Sequence, residues 1–147
     1  MFEYHLFIIK EKNLYKSFDL YNILYELSTM RECLNYGVSL YKQLCIPFRT
    51  SILSNYLNDR YNLSRKKVFY IENSIVIIKP SRIIIKSNHY MPNIIKIFNL
   101  YNRNIFVCDF KNENYFWLND SIKIKINEYI WLNNINLVQL YRKVIEC

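Results

Sequence analysis

The chain has no alanine, 1 glycine and 3 prolines in 147 residues. A single glycine cannot build a phosphate-cradling loop, and neither a GxxxxGKS/T nor a GxGxxG pattern occurs. A GxSxG nucleophile elbow is impossible for the same reason. Collagen-like, glycine-rich and proline-rich architectures are excluded. The two histidines, His5 and His89, have no HxH or HxxxH partner. Cys33, Cys45, Cys108 and Cys147 form no CxxC pair, and their intervals match no zinc pattern. No segment approaches the roughly 20 apolar residues of a membrane span. The opening Met1–Lys10 segment carries Glu3 and His5 and is too short for a secretory core. The expectation is a cytoplasmic protein with reduced cysteines and no membrane contact. No Pro/Gly/Ser linker divides the sequence, so a single domain over residues 1–147 is expected.

Isoleucine (22 residues) and asparagine (19) dominate instead. Together with the missing alanine, this composition follows AT-rich coding. Hydrophobic residues reach 52% and aromatics 17%, enough to bury a core and to exclude wholesale disorder. The net charge of +8 favours anionic partners. However, AT-rich coding also inflates lysine, which outnumbers arginine 13 to 7. The charge is therefore weak support for nucleic-acid binding. The longest basic cluster, Arg65-Lys66-Lys67, reads as a solvated turn before a strand.

Phe2–Lys10 has the composition and length of a buried strand. Ser17 or Asp19 can cap a helix whose stripe runs through Leu20, Leu24 and Leu27, with Tyr21 and Tyr25 beside it. A second helix is expected from Arg31 to about Leu44, with Leu34, Val38 and Tyr41 on one side, ended by Ile46-Pro47. Ser51–Tyr61 repeats the helical spacing. Lys67–Ile71, Ser74–Lys79 and Arg82–Lys86 are β-branched runs separated by Glu72-Asn73 and Pro80-Ser81, an antiparallel meander. Pro92 suits the start of a helix reaching Tyr101. Asn104–Phe110 and Tyr115–Leu118 flank the polar loop Lys111–Asn114, a hairpin. Ile122, Ile124 and Ile126 alternate with lysines as in an edge strand, and Glu128–Ile145 fits a helix. The expected fold is α/β (α+β): one domain with a mixed or antiparallel central sheet and helices packed on its faces.

The search for chemistry points away from an enzyme. His5 reads as a satisfied structural histidine in a strand, and His89 as a solvated loop residue. Cys108 lies in an apolar run and is expected to be a buried thiol, with no neighbouring histidine to activate it. Asp109 ends the same strand and is expected to accept backbone N–H bonds there. No cofactor is called for, and the aromatics repeat at core spacing rather than as a base-stacking platform.

The most distinctive stretch is Phe106–Asn119, FVCDFKNENYFWLN: a strand ending in Asp-Phe, a polar loop, and an aromatic strand ending in Trp-Leu-Asn. It resembles the closing hairpin of the sporulation inhibitor of replication (SirA) family of spore-forming Firmicutes. Phe7–Leu27 is similar to that family's opening strand, Lys-Glu turn and first helix, and Tyr41 and Ile46-Pro47 fit its middle section. The resemblance spans about residues 2–119, leaving 120–147 as an extension. It implies a non-enzymatic inhibitor of replication initiation that binds the N-terminal domain of the initiator DnaA, with no direct nucleic-acid contact. An ungapped match places the first partner-binding patch at Asn13 and Ser17. A one-residue shift places it at Leu14 and Phe18. Tyr41 matches a later contact tyrosine. Interface chemistry favours Leu14, Phe18 and Tyr41, since truncating aromatic anchors usually costs most. Phe116 stands where the family has glycine before Trp117. The alternative is a small basic nucleic-acid-binding protein, whose binding would weaken steeply with salt.

Overall fold

The computed structural model describes residues 1–10, 17–29, 34–61 and 68–120. In chain order, β1 spans Phe2–Ile9, α1 Ser17–Thr29, α2 Leu34–Leu44, β2 Cys45–Ile46 and α3 Thr50–Tyr61. β3 spans Val68–Ile71, β4 Ser74–Ile78, β5 Ile83–Ser87, α4 Asn93–Tyr101, β6 Ile105–Asp109 and β7 Asn114–Trp117. The architecture is the expected α+β single domain. The edge strand expected through Ile122–Ile126 and the helix expected over Glu128–Ile145 lie outside the described residues, as do Asn13 and Leu14.

The sheet runs β3-β4-β5-β1-β6-β7, and every pairing is antiparallel. β1 is bonded on both edges: to β5 through Phe2–Leu6 and to β6 through His5–Ile8. Where β5 ends, β2 takes over that edge, pairing Ile46 with Ile8 and Cys45 with Ile9. A strand bonded on both edges and covered on both faces needs apolar side chains in both directions. FEYHLFII supplies them, and from Tyr4 to Ile9 every residue is buried.

The pleat of β1 divides the interior in two. Tyr4, Leu6 and Ile8 face a core completed by Leu53 and Leu57 of α3 and by Ile94, Ile95 and Phe98 of α4. Phe7 and Ile9 face the other way, towards Leu20, Tyr21 and Leu24 of α1, with Leu44 at the end of α2. Each large aliphatic or aromatic side chain sealed in these layers contributes about 1.5–3 kcal/mol of transfer free energy. α4 is the most deeply set helix, buried from Ile94 to Asn99. Pro92 precedes it in extended conformation, and its carbonyl accepts the Ile95 N–H at 3.1 Å. The buried Tyr4 hydroxyl accepts the Met91 N–H at 3.1 Å, which fixes the approach to α4.

The scarcity of glycine leaves a mark on the turns. Glu72 and Asn73, alone between the paired Ile71 and Ser74, both have positive φ, 49° and 62°. Positive φ at both central residues defines a type I′ hairpin, which favours Asn-Gly. Met91 and Glu113 also sit at positive φ, and no glycine does. The substitution Glu72→Asn/Asn73→Gly should therefore stabilise the fold by about 1 kcal/mol. The check is the midpoint of urea unfolding, where a fall would contradict the turn assignment.

Candidate functional site

The β6–β7 hairpin forms where the distinctive motif lies. Asp109, 2% exposed, pairs with Asn114 across its mouth. One carboxylate oxygen accepts the Asn112 N–H at 3.2 Å and the other the Asn112 side-chain N–H at 2.8 Å. The acid thus stabilises a turn, as its strand-end position predicts, and Glu113 takes a positive φ of 52° to close it. Trp117 packs edge-on against Phe106, with centroids 4.9 Å apart. Its indole N–H donates to the Ser17 hydroxyl at 3.2 Å, tying the start of α1 to the sheet edge.

That bond makes Ser17 a structural contact. Phe18, next to it, is 62% exposed. The apolar stripe of α1 seals Leu20, Tyr21 and Leu24 but leaves Phe18 and the 47%-exposed Tyr25 on the solvent side. Residues seven apart share a helix face, about 10 Å from each other. Tyr25 also rests against Phe110, with centroids 5.7 Å apart. A short aromatic edge thus runs along α1 towards the loop of the β6–β7 hairpin.

Tyr41 is placed elsewhere. Its hydroxyl donates to the Ser81 carbonyl at 2.9 Å, holding α2 to the β4–β5 turn. Burial pushes the phenol well above its ordinary value, so it remains a donor. Arg82 in that turn donates to the Ser28 hydroxyl at 2.9 Å, near the C-terminus of α1. Ser17 and Ser28 are separated by about 16 Å of helix. Phe18 and Tyr41 therefore stand near opposite ends of α1, and the expected patch is not one contiguous spot.

At the Tyr41 end, invisible in the sequence, lies a groove of about 760 Å³. Phe7, Leu27, Val38, Tyr41 and Cys45 give it an apolar lining. Lys10, Lys42 and Arg82 bring positive charge to it. The chain's single glycine, Gly37, also lines it, within α2 and without a positive φ. A glycine in a helix interior costs about 1 kcal/mol relative to alanine, and here no backbone strain calls for it. The three cations are separated in sequence and assembled by topology, so no local motif reveals them. The lone glycine within a helical pattern is the one signal that could.

The buried thiols are inert. Burial raises Cys45 to about 12 and Cys108 higher still, far from a nucleophilic thiolate. His89 is exposed. Among the described residues no group of three metal-ligating side chains converges, and no helix is long and apolar enough to cross a membrane. Compared with protein-family models and with curated proteins, the chain matches none.

His5 is the perturbed base. Its Nε2 lies 3.1 Å from a Glu3 carboxylate oxygen, while Nδ1 is buried with no hydrogen-bond partner. Burial first, and then the Arg82 guanidinium, hold the imidazole down at about 4, against the opposing pull of Glu3 and Asp109. Between pH 6.5 and about 4 the unfolded chain binds a proton that the folded chain refuses. Stability is therefore full above pH 6.5 and falls with acidification through that window, by an amount on the order of 2 kcal/mol. Chemical denaturation at pH 7 and pH 4.5 should show this loss in the wild type and a smaller one in His5→Gln. Equal losses would contradict the assignment.

Proposed function

We propose that the chain acts by binding another folded protein, and that this protein is the N-terminal domain of the replication initiator DnaA. Occupying that domain would limit new rounds of initiation as a cell commits to sporulation. The resemblance of Phe106–Asn119 and Phe7–Leu27 to the sporulation inhibitor of replication family supplies the partner. The observation that carries the mode of action is the aromatic edge of α1. Phe18 is 62% exposed on a helix that buries Leu20, Tyr21 and Leu24 against the sheet. A large aromatic side chain presented by a packed helix is favourable for docking, because the backbone that carries it is already ordered on folding.

Phe18 is the anchor of this surface, with Tyr25 extending it along the helix. Ser17 acts through Trp117 by fixing the start of α1, and so sets the angle at which Phe18 leaves the body. Tyr41 fixes α2 and takes no part in the Phe18 contact. Leu14, four residues before Phe18 in sequence, remains part of the proposed patch together with Asn13.

Immobilised N-terminal domain of the host's own initiator tests this reading. Phe18→Ala should weaken capture about tenfold or more, in line with the loss of an aromatic anchor, while leaving the fold intact. Tyr41→Phe should lower the unfolding midpoint and leave capture nearly unchanged. Equal capture of wild type and Phe18→Ala would reject the surface, and failure to capture the wild type would reject the partner.

A further inference from the structure

The groove between α2, the C-terminal end of α1 and the β4–β5 turn has the features of a small-molecule site. Its volume of about 760 Å³ falls in the range of such pockets, which are mostly apolar with a few charged groups at fixed places. Among the described residues the lining carries three cations and no aspartate or glutamate. Lys10 is engaged, since its ammonium donates to the main-chain carbonyl of Lys42 at the end of α2. Arg82 is half-buried and donates through Nη1 to Ser28. The His5–Glu3 pair is the one ion pair among the described residues, so no carboxylate there lies within 4.0 Å of Arg82. A guanidinium has five N–H donors in a planar fork that fits a carboxylate. Burial works against the Arg82 charge more than the attraction of Glu3 supports it, and an arriving anion offsets that cost.

The second observation is Gly37. A side chain at this position would project from α2, and its absence leaves room beside Val38 and Tyr41. Its φ is not positive, so helical geometry alone would accept alanine. The residue that weakens α2 is the residue that keeps the groove open.

We propose that this groove binds a small amphipathic organic anion, a carboxylate carried on an apolar body. Arg82 and Lys42 take the carboxylate. The apolar body lies against Leu27, Val38 and Tyr41, over the space left by Gly37. This site is independent of the Phe18 surface and does not rest on the identity of a protein partner.

Monomeric laurate is the probe, titrated into the isotopically labelled full chain and followed by backbone amide shifts. Dodecylamine, with the same chain length and opposite charge, is the control. Laurate should give saturable shifts centred on Gly37, Val38 and Arg82, and dodecylamine should bind at least about tenfold more weakly. Arg82→Gln should weaken laurate binding about tenfold, and Lys42→Gln, at an exposed position, by a smaller factor. Gly37→Ala should raise the unfolding midpoint and yet weaken binding, a combination that a purely structural glycine would not produce. The proposal is overturned if dodecylamine binds as well as laurate, if the shifts fall elsewhere, or if neither Arg82→Gln nor Lys42→Gln changes affinity.

Discussion

The hydrogen-bonding of β1 on both of its edges is the constraint on which the rest depends. The strand pairs with β5 and β2 on one side and with β6 on the other. A shift of one residue in either ladder would turn Tyr4, Leu6 and Ile8 to the wrong face and exchange the two cores. Because both faces are apolar, the pattern of β1 alone does not choose the register. The partners choose it. Phe106 and Cys108 of β6 must lie with Phe7 and Ile9, while Ile105 and Val107 lie with Leu6 and Ile8. The antiparallel pairing of β1 with β6 satisfies both at once.

The two cores differ in closure, and that difference positions the functional surfaces. On one face α3 and α4 complete a broad apolar layer, with α4 buried almost throughout. On the other, α1 crosses from Trp117 of β7 to Arg82 beside β5, held at its ends by Ser17 and Ser28. α2 rests at the rim and is fixed by Tyr41 and by Lys10 rather than by a wide apolar face. A helix so mounted leaves Phe18 standing off one end of α1 and an open groove at the other. The aromatic edge is suited to a rigid protein surface. The groove, with Arg82 set into its wall, is suited to a charged small molecule.

Local structure was legible in the sequence wherever one side chain pattern dominated. The strand-length runs of isoleucine and valine marked β3, β4 and β5, and Glu72-Asn73 marked the hairpin between two of them. Asp109 at a strand end announced its role in the turn, and the run around Cys108 announced its burial. Leu20, Leu24 and Tyr21 gave the inner face of α1. They left Phe18 at the edge of that arc, where only the position of the sheet decides between core and solvent. Long-range features were not legible. The two-residue strand β2 has too little sequence to leave a period, and the expected helix stop at Ile46-Pro47 masked it. The neighbourhood of Lys10, Lys42 and Arg82 arises from pairing between segments far apart in the chain. Tyr41 is singled out as a contact residue because it matches a later contact tyrosine of the family the sequence resembles. Its bond to the Ser81 carbonyl depends on the β4–β5 turn reaching α2, which no local pattern encodes.

Native-state hydrogen exchange of the full chain addresses the central claim directly. If β1 is the common support of both cores, the amides of His5–Ile8 exchange only through global opening, with a free energy equal to that of denaturant unfolding. The α2 amides around Val38–Lys42 then exchange through smaller openings that leave β1 protected. Exchange of β1 amides by local fluctuation, at a cost well below global unfolding, would contradict this account of the fold and of the surfaces it holds in place.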